Sequence, residues 1–572
     1  MTSGAKWEIL HEEKKDEGAL TNEKIIEILL SNRGIKTKKE KEDYLSPKLE
    51  NVTLETVGIK KTSVKKTIDR IKQAAGKNEK IVIYGDYDVD GICGTAILWE
   101  SIYSFYKNVI PYIPHRVDEG YGLSNAGIDN ILNLYPDTKL IITVDNGIVA
   151  QGPVSYAQEK SIDVIITDHH VAGDKLPKAF AIVHTTKICG SAVAYLLAKE
   201  FTIFNSQFSN KSKIPNTEKI QDNHLELVVL ATIADLVPLV EENRVFVKSG
   251  IESLRKTKRP GLLALFEEAG IKREEIDAYK IGHIIAPRLN AAGRIMHALD
   301  SLRLVCTKDR VLAQKLAAHL SATNKQRQNL TEESTLHAAK VTLVSEKIIF
   351  VHDEKYNPGI IGLIASRLVE AHYLPAIVVA VGEKTSKGSV RSVAGFNIIA
   401  FLRQFSSMVI DIGGHPMAAG FTIETERIEE FKKVLFREAE KNISDDLLQR
   451  KIKIDMELPF SFLDLKLYLS LQKLAPFGQG NPEPLFVSKN VRIEDVRFVG
   501  RDKKHASLIF SQNGKLIRGI YFNCKDKNLE KGNTIDIVYS IEKDEWSGNG
   551  KIQIKIKDVK EETRIVNARA SI

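Results

Sequence analysis

Three carboxylates at alternate positions, Asp86, Asp88 and Asp90, open the stretch of this chain richest in chemistry. They stand in Gly85-Asp-Tyr-Asp-Val-Asp-Gly-Ile-Cys-Gly-Thr, directly after the apolar run IVIY. Ionised carboxylates crowded this closely repel one another, so holding them together calls for a cation. Other acids follow the same pattern. Asp145 closes LIITVD, Asp168-His169-His170 closes DVIITDHH, and Asp235 interrupts the apolar run VVLATIADLVP. Oxygen donors favour a hard ion such as Mg2+ or Mn2+, and imidazole tilts the choice toward Mn2+. A pair of divalent ions bridged by carboxylates lowers the pKa of a bound water and stabilises both oxygens of an in-line phosphoryl displacement. Neither a GxSxG nucleophile elbow nor a GxxxxGK[ST] phosphate loop offers competing chemistry. Hydrolysis of a phosphoester or phosphoanhydride is the predicted reaction.

Blander readings exist for each piece. Asp90-Gly91 and Asn146-Gly147 are turn formers. The DxDxDG stretch also resembles the start of an EF-hand loop, but the position that needs Glu is Ile97 and a strand, not a helix, precedes it. A lone acid in an apolar helix, such as Asp235, is ordinarily a buried hydrogen-bonded group. Four strand-end or buried acid sites together with a histidine pair favour the metal centre.

The elements that must hold these residues can be read from hydropathy. IVIYGD (81–86), LIITVDNG (140–147) and DVIITDHH (163–170) are continuous rather than alternating apolar runs, each followed by a turn and a helical stretch. Such runs mark strands buried on both faces of a parallel sheet, whose ligands bind at the carboxyl ends. Residues 1–76 read as a charged helical segment, and 77–310 as the catalytic α/β domain with a helical extension. Residues 311–345 read as one long connecting helix, free of Pro and Gly from Leu312 onward. A second α/β domain follows at 346–445, with strands at KIIFVH and PAIVVAV. Residues 446–572 carry short alternating strands between turns such as Asn513-Gly514, which predicts a small antiparallel barrel.

Composition bounds the rest. At 572 residues, 43% hydrophobic and 27% charged, the chain is ordinary globular protein of several domains. The N-terminus lacks the apolar core of a secretion signal, no run reaches the ~18 apolar residues of a membrane span, and Cys93, Cys189, Cys306 and Cys524 are far apart. A cytoplasmic protein is expected. Net charge is +8, of which residues 451–572, with 22 Lys+Arg against 16 Asp+Glu, contribute +6. That excess hints at a polyanionic partner for the barrel.

At these motifs the chain resembles the DHH phosphoesterase superfamily, and within it the RecJ family of single-strand-specific exonucleases. The resemblance spans about residues 80–486 and adds IPHRVDEGYGLS (113–124), ATIADLVPLVEENR (231–244), APRLNAAGR (286–294), KGSVRSVAGF (387–396), GGHPMAAGF (413–421) and LAPFGQGNPEPLF (474–486). It implies a DHH domain, a DHHA1-type second domain and a C-terminal OB-fold. It further implies two divalent cations, Mn2+ or Mg2+, held by Asp88, Asp90, Asp145, His169 and Asp235, with Asp86 adjacent. His170 would face the scissile phosphate, as ligand or proton donor. Phosphate and strand contacts are implied for Arg288, Asn290, Arg294, Ser389, Arg391, Ser392, Gly413, Gly414 and His415. The implied activity sheds 5′ mononucleotides from the 5′ end of single-stranded DNA, in repair and recombination, by a monomer working beside a helicase and a single-strand-binding protein, with no membrane partner. Barrel candidates for strand contact are Phe498, Arg501, Lys503, Lys504, Phe510, Arg518 and Tyr521. One departure stands out: where the family shows Val-Asn-Pro after its DHH motif, this chain has Val183-His184-Thr185. Two other readings keep the same fold: a DHH phosphodiesterase acting on short RNA, cyclic dinucleotides or pyrophosphate, and a non-catalytic nucleic-acid-binding relative. The first needs no basic barrel, and the second predicts eroded ligands.

Overall fold

A computed structural model describes residues 4–11, 20–115, 119–208, 224–341, 347–500, 502–524, 529–544 and 551–561. They form two compact units, Lys48–Leu448 with Gly478–Gly480, and Met1–Pro47 with Gln449–Phe477 and Asn481–Ile572.

The N-terminal segment is not wholly helical, as its charge pattern predicts. Residues 6–11 form strand β1 (Lys6–His11), followed by the expected helices Asn22–Asn32 and Lys38–Leu45. Trp7 and Ile9 alternate on one face and pack on Ile454, Val487 and Val538, and the Trp7 indole N–H donates to Asp558 at 2.8 Å. A strand whose partners lie more than four hundred residues away leaves no helical or turn signal nearby.

In the larger unit, β2 (Lys80–Gly85), β3 (Val109–Tyr112), β4 (Thr138–Val144), β5 (Asp163–Asp168) and β6 (Ala181–His184) form a wholly parallel sheet in the order β3-β2-β4-β5-β6. Ile81, Val82, Ile83, Leu140, Ile141, Ile142, Val164 and Ile165 are all fully buried, which is why these runs do not alternate. From β2 the chain first adds a strand on one side and then crosses to the other. This reversal puts a crevice at the carboxyl ends of β2 and β4, where open α/β sheets bind ligands. Helices from Leu225 to Cys306 complete this lobe, and one 32-residue helix, Arg310–Val341, leads out of it.

A second sheet follows: β7 (Ile349–Asp353), β8 (Ala376–Ala380), β9 (Thr385–Arg391), β10 (Asp411–His415) and β11 (Ala418–Glu424), in the order β10-β11-β9-β8-β7. Only β7 and β8 pair in parallel. Helices Ile361–His372 and Ile428–Asn442 cover its apolar faces.

In the smaller unit, β12 (Lys451–Glu457) joins β1 to β13 (Phe486–Val499), and β13, β14 (His505–Gln512), β15 (Lys515–Tyr521), β17 (Ile552–Glu561) and β16 (Thr534–Lys543) close into a five-stranded barrel. The barrel is not purely antiparallel as expected, because β15 and β17 pair in parallel at the closure. Among the described residues no helix is long and apolar enough to cross a membrane.

Candidate metal centre and phosphate contacts

The acids arrive at the crevice by three local routes. Asp86 follows the last residue of β2, and Asp88 caps the helix Val89–Phe105 by accepting from the amides of Asp90 (2.9 Å) and Gly91 (3.1 Å). Gly91 sits so close to the strand end that a Cβ there would lie 2.5 Å from the Asp86 backbone. Asp90, one residue into the helix, accepts from the amides of Gly190 (2.7 Å) and Ser191 (2.6 Å), the first turn of helix Gly190–Phe208. Those N–H groups have no partner within their own helix, so a carboxylate suits them. Asp145 follows β4 with φ of +63°, and its neighbour Gly190 leaves no room for a Cβ, which would meet the Asp145 side chain at 2.7 Å. Asp235 caps the carboxyl end of helix Leu225–Ala234.

Around His169 Nε2 the donors converge. Asp145 Oδ1 lies at 3.1 Å, and Asp90 Oδ2 and Asp235 Oδ2 each lie at 3.6 Å. The ligating atoms fall into trios within 4.8 Å of one another: Asp86, Asp88 and Asp145; Asp90, His169 and Asp235; and Asp145, His169 and His170. Burial, then the neighbouring carboxylates, drives the pKa of Asp145 well above the ordinary carboxylate value and pushes Asp235 up to about 8. Burial likewise lowers His169, leaving a neutral imidazole. Among the described residues no lysine or arginine ion-pairs with Asp88, Asp90, Asp145 or Asp235. The buried Asp145 Oδ1 and His169 Nε2 have no hydrogen-bond partner although they face each other. Two acceptors turned toward one point fit a shared divalent cation, and the aspartate–imidazole donor set suits Mn2+ or Mg2+.

Beside this cluster stands a second arrangement, which motif spacing does not assign. Asp168 accepts from the Ile148 amide (2.9 Å), the His169 and His170 amides (2.7 and 3.2 Å) and His170 Nδ1 (2.8 Å). Burial alone would lower the His170 pKa, but the Asp168 hydrogen bond and charge outweigh it and raise the group to about 9. The other ring nitrogen of His170 lies 3.0 Å from the Tyr121 hydroxyl. Tyr121, 56% exposed within YGLS, belongs to no metal-ligand pattern and is invisible to spacing arguments.

The phosphate-contact candidates divide. His415, on β10, stacks toward His170 with ring centroids 6.4 Å apart, so the Gly413-Gly414-His415 edge reaches the metal cluster. Gly414 needs its glycine: φ is +143° and a Cβ would meet the Ala418 carbonyl at 2.4 Å. Arg391 lies against Gly362 and donates to the Val390 carbonyl (2.9 Å) and to Ser389 Oγ (3.4 Å). Burial lowers its pKa. Arg294 donates to the Gly359 carbonyl at 3.3 Å. Asn290 Oδ1 accepts from the Val89 amide at 2.9 Å, so it braces the carboxylate loop itself. Arg288 donates to the Ile284 carbonyl and keeps a buried Nε without a hydrogen bond. Ser392 is buried and its hydroxyl is engaged by the Phe396 carbonyl at 2.7 Å, which turns it away from Ser389 and Arg391. In the barrel, Phe510 and Tyr521 are core residues, Phe498 is exposed, and Arg501 lies outside the described residues.

Comparison with known proteins identifies the domains that carry these residues. Models of the DHH family N-terminal domain, the DHHA1 domain and the RecJ OB domain match residues 80–232, 340–441 and 454–558. The crystal structure of RecJ from Thermus thermophilus in complex with Mn2+ superposes with a TM-score of 0.79 at 27% identity, over 94% of this chain and 75% of that one. The single-stranded-DNA-specific exonuclease RecJ of Escherichia coli K12 is 31% identical, over 87% of this chain and 90% of its own. That of Bacillus subtilis 168 is 33% identical over 98% of this chain and 71% of its own. With that identity sustained through all three modules, the chain belongs to the RecJ family.

Proposed function

We propose that this protein is a metal-dependent exonuclease that hydrolyses single-stranded DNA from its 5′ end to 5′ mononucleotides. One observation carries the reading: aspartates and a histidine converge at the switch point of a parallel sheet, and among the described residues no lysine or arginine ion-pairs with Asp88, Asp90, Asp145 or Asp235. Divalent cations, when bound, supply a lowered water pKa and charge stabilisation at the attacked phosphate. Asp88, Asp90, Asp145, His169 and Asp235 would hold them, with Asp86 closing the first trio. The side chains divide the remaining work. Asp168 fixes the His170 ring by its Nδ1, and the other nitrogen, which meets the Tyr121 hydroxyl here, would turn to the substrate to hold or deliver a proton toward the leaving oxygen. Arg391, Ser389 and Arg294 offer guanidinium and hydroxyl donors to a terminal phosphate, a geometry that suits planar bidentate contact. His415 on β10 closes the site from the second sheet.

On this reading the enzyme is a cytoplasmic monomer acting in repair and recombination, fed single strands by a helicase and a single-strand-binding protein. The barrel grips the strand. Purified protein would be incubated with Mn2+ and end-labelled DNA, single- or double-stranded, with either end blocked, beside Asp145→Ala. Release of 5′ mononucleotides from single strands with a free 5′ end, lost in the variant, is expected. Turnover confined to dinucleotides or pyrophosphate would overturn the assignment, and binding without turnover would favour a non-catalytic relative.

A further inference from the structure

The departure from Val-Asn-Pro has a structural counterpart. His184 ends β6, in register with Asp168 at the end of β5. Its Nε2 lies 2.7 Å from the carbonyl oxygen of His170. A carbonyl only accepts, so Nε2 carries the hydrogen. The next residue adds a second stitch: the Thr185 amide lies 3.4 Å from the Asp168 carbonyl, a bond that Pro could not make. Thr185 Oγ1 in turn donates to the Val57 carbonyl at 2.5 Å, anchoring the stitch in the lobe. His170 itself lies two residues past the end of β5, beyond the last rung of the strand ladder.

We propose that His184 is a positioning residue for His170, fixing the backbone from which the His170 imidazole is aimed at the scissile phosphate. The inference rests on the exonuclease reading above. Asp168 orients the His170 ring through Nδ1, and Tyr121 meets the ring's far nitrogen. On the backbone, the His170 amide donates to Asp168 at 3.2 Å, which holds the nitrogen side of the residue and leaves its carbonyl side to His184. The carbonyl contact from β6 ties that side to the sheet that also carries Asp86 and Asp145. Reacting groups must be held within fractions of an ångström for efficient chemistry, so a slack loop here is felt in turnover and not in strand binding. Asn, the usual family residue, carries its amide nitrogen one bond closer to Cβ. Gln places a donor as many bonds from Cβ as His Nε2, and Phe keeps the ring without the donor.

Wild type, His184→Gln, His184→Phe and His170→Ala would be compared on 5′-phosphorylated single-stranded DNA with Mn2+. Amide hydrogen exchange across residues 168–173 would be measured in parallel, with and without metal. The Phe variant is expected to lose about 10- to 100-fold in kcat, as outer contacts to metal-site groups typically do, with KM unchanged within about twofold and Tm preserved. Gln should recover kcat to within about threefold, and faster exchange at 169–171 should appear in Phe only. Wild-type kcat and exchange in the Phe variant overturn the proposal. So does a Gln variant that is folded yet as slow as His170→Ala. Should the Phe variant be unstable, Gln decides alone, by matching or missing wild-type kcat and exchange. A wild type that cuts no single-stranded DNA refutes the exonuclease reading, and the exchange comparison then decides the His184 contact by itself.

Discussion

Two helices of the larger unit each carry two acids two to three turns apart, and the two positions have opposite fates. Helix Val89–Phe105 bears Asp90 and Glu100, and helix Leu225–Ala234 bears Glu226 and Asp235. Glu100 and Glu226 share the guanidinium of Arg259: Nη1 and Nη2 fork onto Glu100 at 2.7 and 2.8 Å, and Nε donates to Glu226. His224 adds a contact to Glu100 at 2.9 Å. Burial alone would raise the Glu100 pKa, but Arg259 and His224 outweigh it and bring the group down to about 2, whereas at the more deeply buried Glu226 burial still outweighs the shared guanidinium and keeps the pKa raised. About 15 Å away, at 1.5 Å per helical residue, Asp90 and Asp235 sit among further carboxylates and, among the described residues, pair with no guanidinium, and Asp235 is pushed up instead. Similar burial on the same helices thus gives a structural ion cluster where a guanidinium is present and a cation-seeking one where it is absent. Neither burial nor acid count separates the two; the resident counter-ion does.

The sharpest way to break that contrast is to remove charge from the cation-seeking end. Asp145→Asn keeps the shape, takes one carboxylate out of two of the three donor trios, and should cost several kcal/mol of transition-state stabilisation, at least about a thousandfold in nuclease rate. The same change relieves repulsion, so in chelator the variant should melt above wild type. A variant that loses activity and also melts lower in chelator would mean that Asp145 is structural.

At the compensated end the signs reverse. Arg259→Met leaves Glu100 and Glu226 buried without their partner and should destabilise the lobe by about 3–5 kcal/mol in a denaturant titration. It should do so equally with or without Mn2+. The pH signature follows from the Glu100 shift. Its folded pKa lies below the ordinary glutamate value of 4.5, so this stabilisation is present above that value and is lost as pH falls toward about 2. Removing Arg259 should flatten that acid limb. Wild type should, by contrast, gain roughly 2.7 kcal/mol in metal at a hundredfold excess over Kd, because ions bind the folded cluster, and Asp145→Asn should lose most of that gain. An equal gain in both proteins would place the bound ions elsewhere.

The same contrast explains how much of the site is legible in the sequence. The cation-seeking acids lie next to buried parallel strands, within motifs of a few residues, so hydropathy and spacing locate them together. Arg259 and Glu100 are 159 residues apart and nothing local joins them. Strand β1 escapes for the same reason, since its partner β12 is distant. Ser392 is a case in which a signal exists: Ser389 and Arg391 share one side of β9, where burial alternates, and the next residue turns inward. Tyr121 gives none, because it acts through one hydrogen bond across the fold, and His184 is marked only by its departure from the family's Val-Asn-Pro, not by its role.

The barrel tests the comparison from the outside, where water screens charge and no counter-ion is forced. Its useful groups should therefore be exposed aromatics with nearby cations, not buried clusters. Phe522 is 46% exposed, meets the His505 ring edge-on at 5.2 Å between centroids, and has Lys555 Nζ at 5.5 Å from its ring centre. Phe498 is 45% exposed at the end of β13, where the next residue, Val499, pairs with His505. Phe510 and Tyr521 are not available to a strand, because alternation along β14 and β15 sends them into the core. Stacking one base on such a ring is worth about 1–3 kcal/mol, so Phe522→Ala should weaken binding of a dT oligomer about tenfold in chelator. Fluorescence anisotropy would read this at fixed salt, since any phosphate contact varies steeply with ionic strength. Cleavage at saturating strand should hardly change, because Phe522 holds no metal donor. Phe510→Leu should do the opposite, lowering the barrel's melting temperature while leaving affinity within about twofold. If Phe522→Ala binds like wild type and Phe510→Leu does not, the strand follows a different face of the barrel.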